Sequence, residues 1–234
     1  MKHRPKWLNR ALRAPMDART LGRVIARLKA KVAEWNPTAL AEVADRTERD
    51  SFRILIACLL SLRTKDETTG PAAERLFALA DAPQAMLRLP LRQIEQAIFP
   101  VGFYRTKARV IHSVCRDLLE RFEGKVPADL DALLSLRGVG RKTANLVVTM
   151  GFGLPGICVD THVHRIANRL GFVRTKTPEQ TEWTLRAKLP RRYWIKLNDL
   201  LVSFGQNICQ PVSPKCSICP VRQACHRVGV TRFR

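Results

Sequence analysis

Residues 51–62 carry Phe52, Ile54, Leu55, Ile56, Leu59 and Leu60, with Arg53 the sole charge among them. Asp50 or Ser51 supplies an N-cap, and the run is long enough for about three helical turns. A helix that is apolar all round has no side to offer to water. It must be wrapped by other helices, which places it at the centre of a bundle.

The remaining segments can do the wrapping. Residues 21–35 set Leu21, Val24, Ile25, Leu28 and Val32 on one stripe, and Asn36-Pro37 ends that helix. Helices follow over 65–80 (interrupted in pattern by Gly70-Pro71), 83–87 and 91–98. In 105–122, Val110, Val114, Leu118 and Phe122 recur every fourth residue. Shorter or more polar helices are predicted over 130–136, 141–150, 161–170, 178–188 and 192–205. No segment alternates with period two, so the fold class is all-α.

The chain has 41 Lys and Arg against 20 Asp and Glu, a formal net charge of +21. Such an excess is useful to a chain that meets a polyanion, with nucleic acid first and an anionic membrane surface second. The longest apolar run, 54–60, is far short of the roughly 20 residues a spanning helix needs. Residues 1–20 hold Lys2, Arg4, Lys6, Arg10, Arg13 and Arg19 but no apolar block, so they read as a basic arm and not as a secretory signal. A cytoplasmic monomer is expected, nucleoid-associated if the source is prokaryotic.

The string Leu136-Arg137-Gly138-Val139-Gly140-Arg141-Lys142-Thr143-Ala144 joins two of these helices. Gly138 is expected to cap the first at its C-terminus, and Gly140 to allow a second tight bend. The amides that open the next helix can then hold a phosphate, a contact to backbone that carries no sequence information. Lys142 falls in the first turn of that helix. The helix dipole and the charges of Arg137 and Arg141 favour a neutral amine there, which can attack a sugar carbon and form a Schiff base. A plain phosphate contact would also account for a lysine in a basic hairpin. A fainter echo of this string stands at Gly102-Phe103-Tyr104-Arg105-Thr106-Lys107-Ala108.

Asp160, in Val159-Asp160-Thr161-His162, is a natural N-cap. Its carboxylate can also stabilise an oxocarbenium-like sugar, or help deprotonate an attacking amine or water. His162 and His164 do not face each other on a helix and are not read as a metal pair. Seven cysteines occur. Cys58, Cys115 and Cys158 read as buried small hydrophobes. Cys209, Cys216, Cys219 and Cys225 cluster, with one C-x2-C pair, and by spacing alone suit either zinc or an iron–sulfur cluster.

Taken together in this order, the hairpin through Lys142, the Val-Asp-Thr-His string and the cysteine loop resemble endonuclease III, a branch of the helix-hairpin-helix DNA glycosylases, over residues 20–226. The resemblance implies two helical lobes with a DNA-binding cleft between them. One lobe would be 44–154 with the helix-hairpin-helix motif. The other would join 21–43 to 155–234 and carry a [4Fe-4S] loop at 209–225. It implies a bifunctional glycosylase and abasic-site lyase that acts on double-stranded DNA containing damaged bases or abasic sites, removing oxidised pyrimidines and cutting by β-elimination. Lys142 would be the Schiff-base lysine, Asp160 the catalytic aspartate, and Cys209, Cys216, Cys219 and Cys225 the cluster ligands. Arg137, Gly138, Val139, Gly140, Arg141 and Thr143 would touch DNA. Arg63 and Phe103 would fill the gap left by a flipped base, where the family usually has Gln and Leu. A monofunctional uracil- or thymine-mismatch glycosylase, or a non-catalytic DNA-binding module, are the alternatives.

Overall fold

The computed structural model describes residues 16–35 and 37–234. Of the expected basic arm over 1–20, residues 1–15 lie outside the described residues, and 18–20 belong to the first helix. In chain order the helices are α1 (Ala18–Val32), α2 (Ala39–Arg46), α3 (Ser51–Ser61), α4 (Asp66–Leu79), α5 (Pro83–Arg88), α6 (Leu91–Ile98), α7 (Tyr104–Arg121), α8 (Leu130–Leu134), α9 (Arg141–Leu146), α10 (Thr161–Leu170), α11 (Pro178–Lys188) and α12 (Trp194–Asn207). Among the described residues there is no strand. Two units separate: Pro37–Gly156, and the chain up to Asn36 joined with Ile157–Arg234.

In the unit Pro37–Gly156, α3 is the axis. Asp50 caps it, accepting the Arg53 N–H at 2.7 Å, and Ile54, Leu55, Ile56, Leu59 and Leu60 are buried. Helices α2, α4, α7 and α9 pack around it, which is how a helix without a polar side is kept from water. α4 runs straight through Pro71. It forfeits one backbone bond there, but packing on α3 keeps it whole.

Three expectations need correction here. Helix α2 was not predicted. Thr38 caps it, accepting from Ala41 N–H at 3.2 Å, but its buried face is Ala39, Val43 and Ala44, too small to give a periodic signal. The helix predicted over 141–150 changes character: after α9 it widens into a π-helical turn, Val147–Gly151. There the Thr149 hydroxyl donates to the carbonyls of Asn145 and Leu146, at 2.8 and 3.2 Å. Along α7 the core stripe is Lys107, Ala108, Ile111, Val114, Cys115 and Leu118. Val110 and Phe122, expected in that stripe, are half-buried at its margin.

In the other unit, Asp17 caps α1 through the Thr20 N–H at 2.6 Å, three residues before the predicted start at 21. α1 buries Leu21, Val24, Ile25 and Leu28 and packs on α12. Trp35 stacks on Phe204 at 5.9 Å. α10 lies against α11 and α12 and buries Val163, Ile166, Ala167 and Leu170. A 3-10 turn, Arg191–Tyr193, leads into α12. The chain after Ile208 is a loop without helices that holds the four clustered cysteines. As expected, Cys58, Cys115 and Cys158 are buried.

Candidate nucleic-acid interface and catalytic residues

Helix α8 stops at Leu134, four residues before Gly138, so Gly138 is not its cap. The chain turns instead through 135–140, anchored by the buried Leu136 and Val139 and by the Val139 N–H donating to Leu136 O at 3.1 Å. Arg121 of α7 donates to the Ser135 hydroxyl at 2.6 Å and ties the turn to α7. Gly138 has φ of +79°, and a β-carbon there would meet Val110 Cγ1 at 2.7 Å. Both facts demand glycine. Gly140, expected to bend, is extended at φ −95°. What glycine provides at that position is room, since nothing lies within 4 Å of where its side chain would be.

The first helical bond of α9 runs from Ala144 N–H to Gly140 O at 2.9 Å, so the amides of Arg141, Lys142 and Thr143 precede it. They open beside the bare side of Gly140, which suits an anion. Arg137 is exposed and Arg141 half-buried. Thr143 is 1% exposed. Its side chain, predicted to touch DNA, points into the core, and only its backbone N–H can take part. Val139 is buried as well, and its N–H is already given to Leu136 O. Lys142 is half-buried and its charge reaches α3: burial pushes the Cys58 thiol up to about 12, and the Lys142 ammonium opposes part of that rise.

Arg63 and Phe103, 40 residues apart in sequence, are brought together. The Arg63 guanidinium lies 5.5 Å from the centre of the Phe103 ring. Phe103 is 63% exposed, and Arg63 is also exposed. Both sit in left-handed backbone, at φ 54° and 58°, a conformation that costs about 1 kcal/mol or more for a side-chain-bearing residue. Two outward-facing residues held in costly conformations belong to loops fixed from behind.

Asp160 belongs to the other unit. It is half-buried at the N-cap of α10, and Oδ1 accepts the Val163 N–H at 2.8 Å. The buried extended residues Ile157, Cys158 and Val159 lead into it. Arg165 on the same helix feels its negative charge. His162 Nδ1 lies 3.2 Å from Arg165 Nη2, and His164 Nδ1 lies 2.7 Å from Thr181 Oγ1.

Cys209, Cys216, Cys219 and Cys225 line one cavity, together with Ile166, Leu170, Phe204 and Val221. The cavity is small, about 20 Å³, and partly open to solvent. Among the described residues no three His, Cys, Asp or Glu side chains close in on a single-ion position. Burial pushes Cys219 up to about 11 and Cys225 up to about 12, and raises Cys216, while Arg227 opposes the rise at Cys216 and Cys219.

Sequence reasoning missed the residues that fasten these parts. Arg169 donates to Gln210 O and Pro211 O, each at 2.6 Å, and to Cys209 Sγ at 3.5 Å. Arg165 donates to Cys209 O at 2.9 Å. Thus α10, which carries Asp160, also holds the start of the cysteine loop. Lys107 donates to Leu60 O, Leu62 O and Thr64 Oγ1 at 2.7, 2.6 and 3.0 Å. Its signal was available: a cation four residues before Ile111 and seven before Val114, on the apolar side of α7.

Residues 56–191 match the family described as HhH-GPD superfamily base excision DNA repair protein. Endonuclease III of Thermotoga maritima is 46% identical over 178 residues, 76% of this chain and 84% of that protein. Against the longer endonuclease III homolog 1 of Arabidopsis thaliana, 42% identical, the chain spans 49% of the relative. A solved non-covalent endonuclease III–DNA complex is similar with a TM-score of 0.80 and 34% identity, over 90% of this chain and 95% of that one. A trapped endonuclease III–DNA covalent intermediate has a TM-score of 0.72 and 38% identity, over 80% and 92%. Among the described residues no helix is long and apolar enough to cross a membrane.

Proposed function

This chain belongs to the HhH-GPD superfamily of base excision DNA repair proteins, and we infer that it is a bifunctional DNA glycosylase and abasic-site lyase, which removes oxidised pyrimidines from duplex DNA and cuts the strand. The observation that carries the lyase half is the placement of Lys142, an amine in the first turn of α9, beside the open flank of Gly140.

Net positive charge draws the chain to DNA. The backbone around Gly138, Val139 and Gly140 and the amides of Arg141, Lys142 and Thr143 hold a phosphate, with Arg137 and Arg141 adding charge. The damaged base leaves the stack, and Arg63 and Phe103 occupy the space it vacates. The Lys142 amine, once it has given up its proton, attacks C1′. The C1′–N bond breaks, and its electron pair departs with the base. Asp160 contributes negative charge against the oxocarbenium-like sugar. Loss of the amine proton and opening of the ring give the Schiff base. Removal of a C2′ proton then expels the 3′ phosphate, which cuts the strand by β-elimination. Lys142 and Asp160 are assigned each on its own surroundings.

Cys209, Cys216, Cys219 and Cys225 are the residues that would hold a [4Fe-4S] cluster. Four cysteines gathered at one cavity suit a metal centre, and the likeness to endonuclease III favours a cluster over zinc. When bound it would tie the C-terminal loop to α10.

Lys142→Gln tests the reading. The variant is expected to bind an abasic-site duplex as the parent does, and to lose strand cleavage and borohydride trapping. Normal trapping would remove Lys142 from the mechanism. A monofunctional glycosylase would leave the strand whole until alkali is added, and a binding module would hold the abasic duplex without cutting it.

A further inference from the structure

Among the described residues Lys107 is the one buried Lys or Arg. It is buried on the core side of α7, and its ammonium meets three acceptors: the carbonyls of Leu60 and Leu62, and the Thr64 hydroxyl. An ammonium has three N–H donors, so the match is complete. Leu60 lies in the last turn of α3, and Leu62 and Thr64 flank Arg63. Lys107 therefore closes the C-terminal end of α3, where orphan carbonyls need donors. It also fixes the loop that presents Arg63.

The same hydroxyl serves the second loop. Thr64 Oγ1 accepts the Gly102 N–H at 3.2 Å. A β-carbon on Gly102 would lie 2.7 Å from Arg63 O, so the two loops touch backbone to backbone. Lys107 itself follows Phe103 by one helical turn, with its N–H bonded to Phe103 O at 3.0 Å. Arg75 holds the approach to this turn, donating to Ala97 O and Phe99 O at 2.9 and 2.6 Å. One buried cation thus sits behind both exposed residues, and both loops keep left-handed backbone at the residue they display.

We propose that Lys107 is a positioning residue for base displacement: it locks the 62–65 loop and the 99–104 turn into one rigid block, so that Arg63 and Phe103 enter the base stack as a single wedge. Rigidity is what gives such a wedge its use. Filling the vacated space must offset the lost stacking of the flipped base, and side chains that had to be ordered on binding would spend part of that gain. The inference rests on the wedge role given above to Arg63 and Phe103.

The test uses the full-length protein, a duplex with a natural abasic site for borohydride trapping, and two further duplexes. One holds 2-aminopurine opposite a tetrahydrofuran abasic analogue, and its fluorescence rises when the opposing base is unstacked. The other holds thymine glycol. Lys107→Met is expected to lower the fluorescence plateau at saturating protein. It should also cut base excision at least about tenfold more than it cuts borohydride trapping at a preformed abasic site. Thr64→Val, which keeps the two carbonyl contacts and removes the shared hydroxyl, serves if the first variant folds poorly, and should shift both readouts in the same direction by a smaller factor. Adding Arg63→Ala to either variant should cause less further loss than Arg63→Ala causes alone, because the residues act as one unit. Unchanged plateaus in both variants, or fully additive losses, overturn the proposal. If Arg63→Ala and Phe103→Ala are themselves silent, the wedge reading has failed instead.

Discussion

Val110 of α7 occupies the space beside Gly138, at 2.7 Å from where a β-carbon on the glycine would stand. The hairpin is therefore seated on α7 through a contact that admits hydrogen only. Gly138→Ala carries two costs: about 1–2 kcal/mol for an L-residue in left-handed backbone, and about 1–3 kcal/mol for overpacking. Val110→Ala in the same chain removes the second cost and leaves the first. Denaturant unfolding of the four chains of this cycle measures both. Equal losses in the two backgrounds would show that the contact carries no energy.

Asp160 caps α10 and is assigned a charge-stabilising role, and the two tasks separate by substitution. Asparagine caps nearly as well as aspartate but has no charge. Asp160→Asn is expected to keep stability within about 0.5 kcal/mol and to lose roughly 100-fold or more in base excision. Asp160→Ala should lose the same activity and also about 1 kcal/mol of stability. Thermal unfolding beside single-turnover excision distinguishes the two. If Asn retains activity and Ala loses it, Asp160 is a cap and nothing more.

Much of this arrangement was legible in the sequence. The central helix announced itself because apolar residues occupy all its sides, with Arg53 its sole charge. Most other helices declared their apolar faces, and Asp50 and Asp160 their caps. Helix α2 stayed silent because alanines bury without contrast. Thr143 and Gly140 were read by type: the hairpin string does not say which side chain turns inward, nor whether a glycine is there to bend or to leave room. Lys107, Arg165 and Arg169 were missed for another reason. Their partners are backbone carbonyls 40 or more residues away, and every residue has a carbonyl, so no pattern of types can reveal the pairing.

The cysteine cavity makes a chemical statement that iron analysis can check. The purified protein is expected to be yellow-brown and to hold about four irons per chain. Cys225→Ala should lose the colour and make the loop after Ile208 an early site of proteolysis, because the ligands that close the loop are gone. A colourless protein with one tightly held zinc would refute the cluster.

Lys107 gives the chain a pH dependence with a definite sign. Burial pulls its amine from an ordinary 10.5 down to about 8. Below pH 8 the folded and unfolded chains both hold the proton, and Lys107 contributes no slope. Between about 8 and 10.5 the unfolded chain still holds it and the folded chain has released it, so raising the pH favours the folded state. The neutral amine keeps two N–H donors, enough for the carbonyls of Leu60 and Leu62. The stability of the parent minus that of Lys107→Met should therefore be flat up to about pH 8 and climb above it, with other titrating groups cancelling in the difference. Denaturant unfolding of both proteins at intervals from pH 7 to 10 checks the shape. A difference that falls across that range would mean that the three acceptors hold the charge more strongly than burial opposes it.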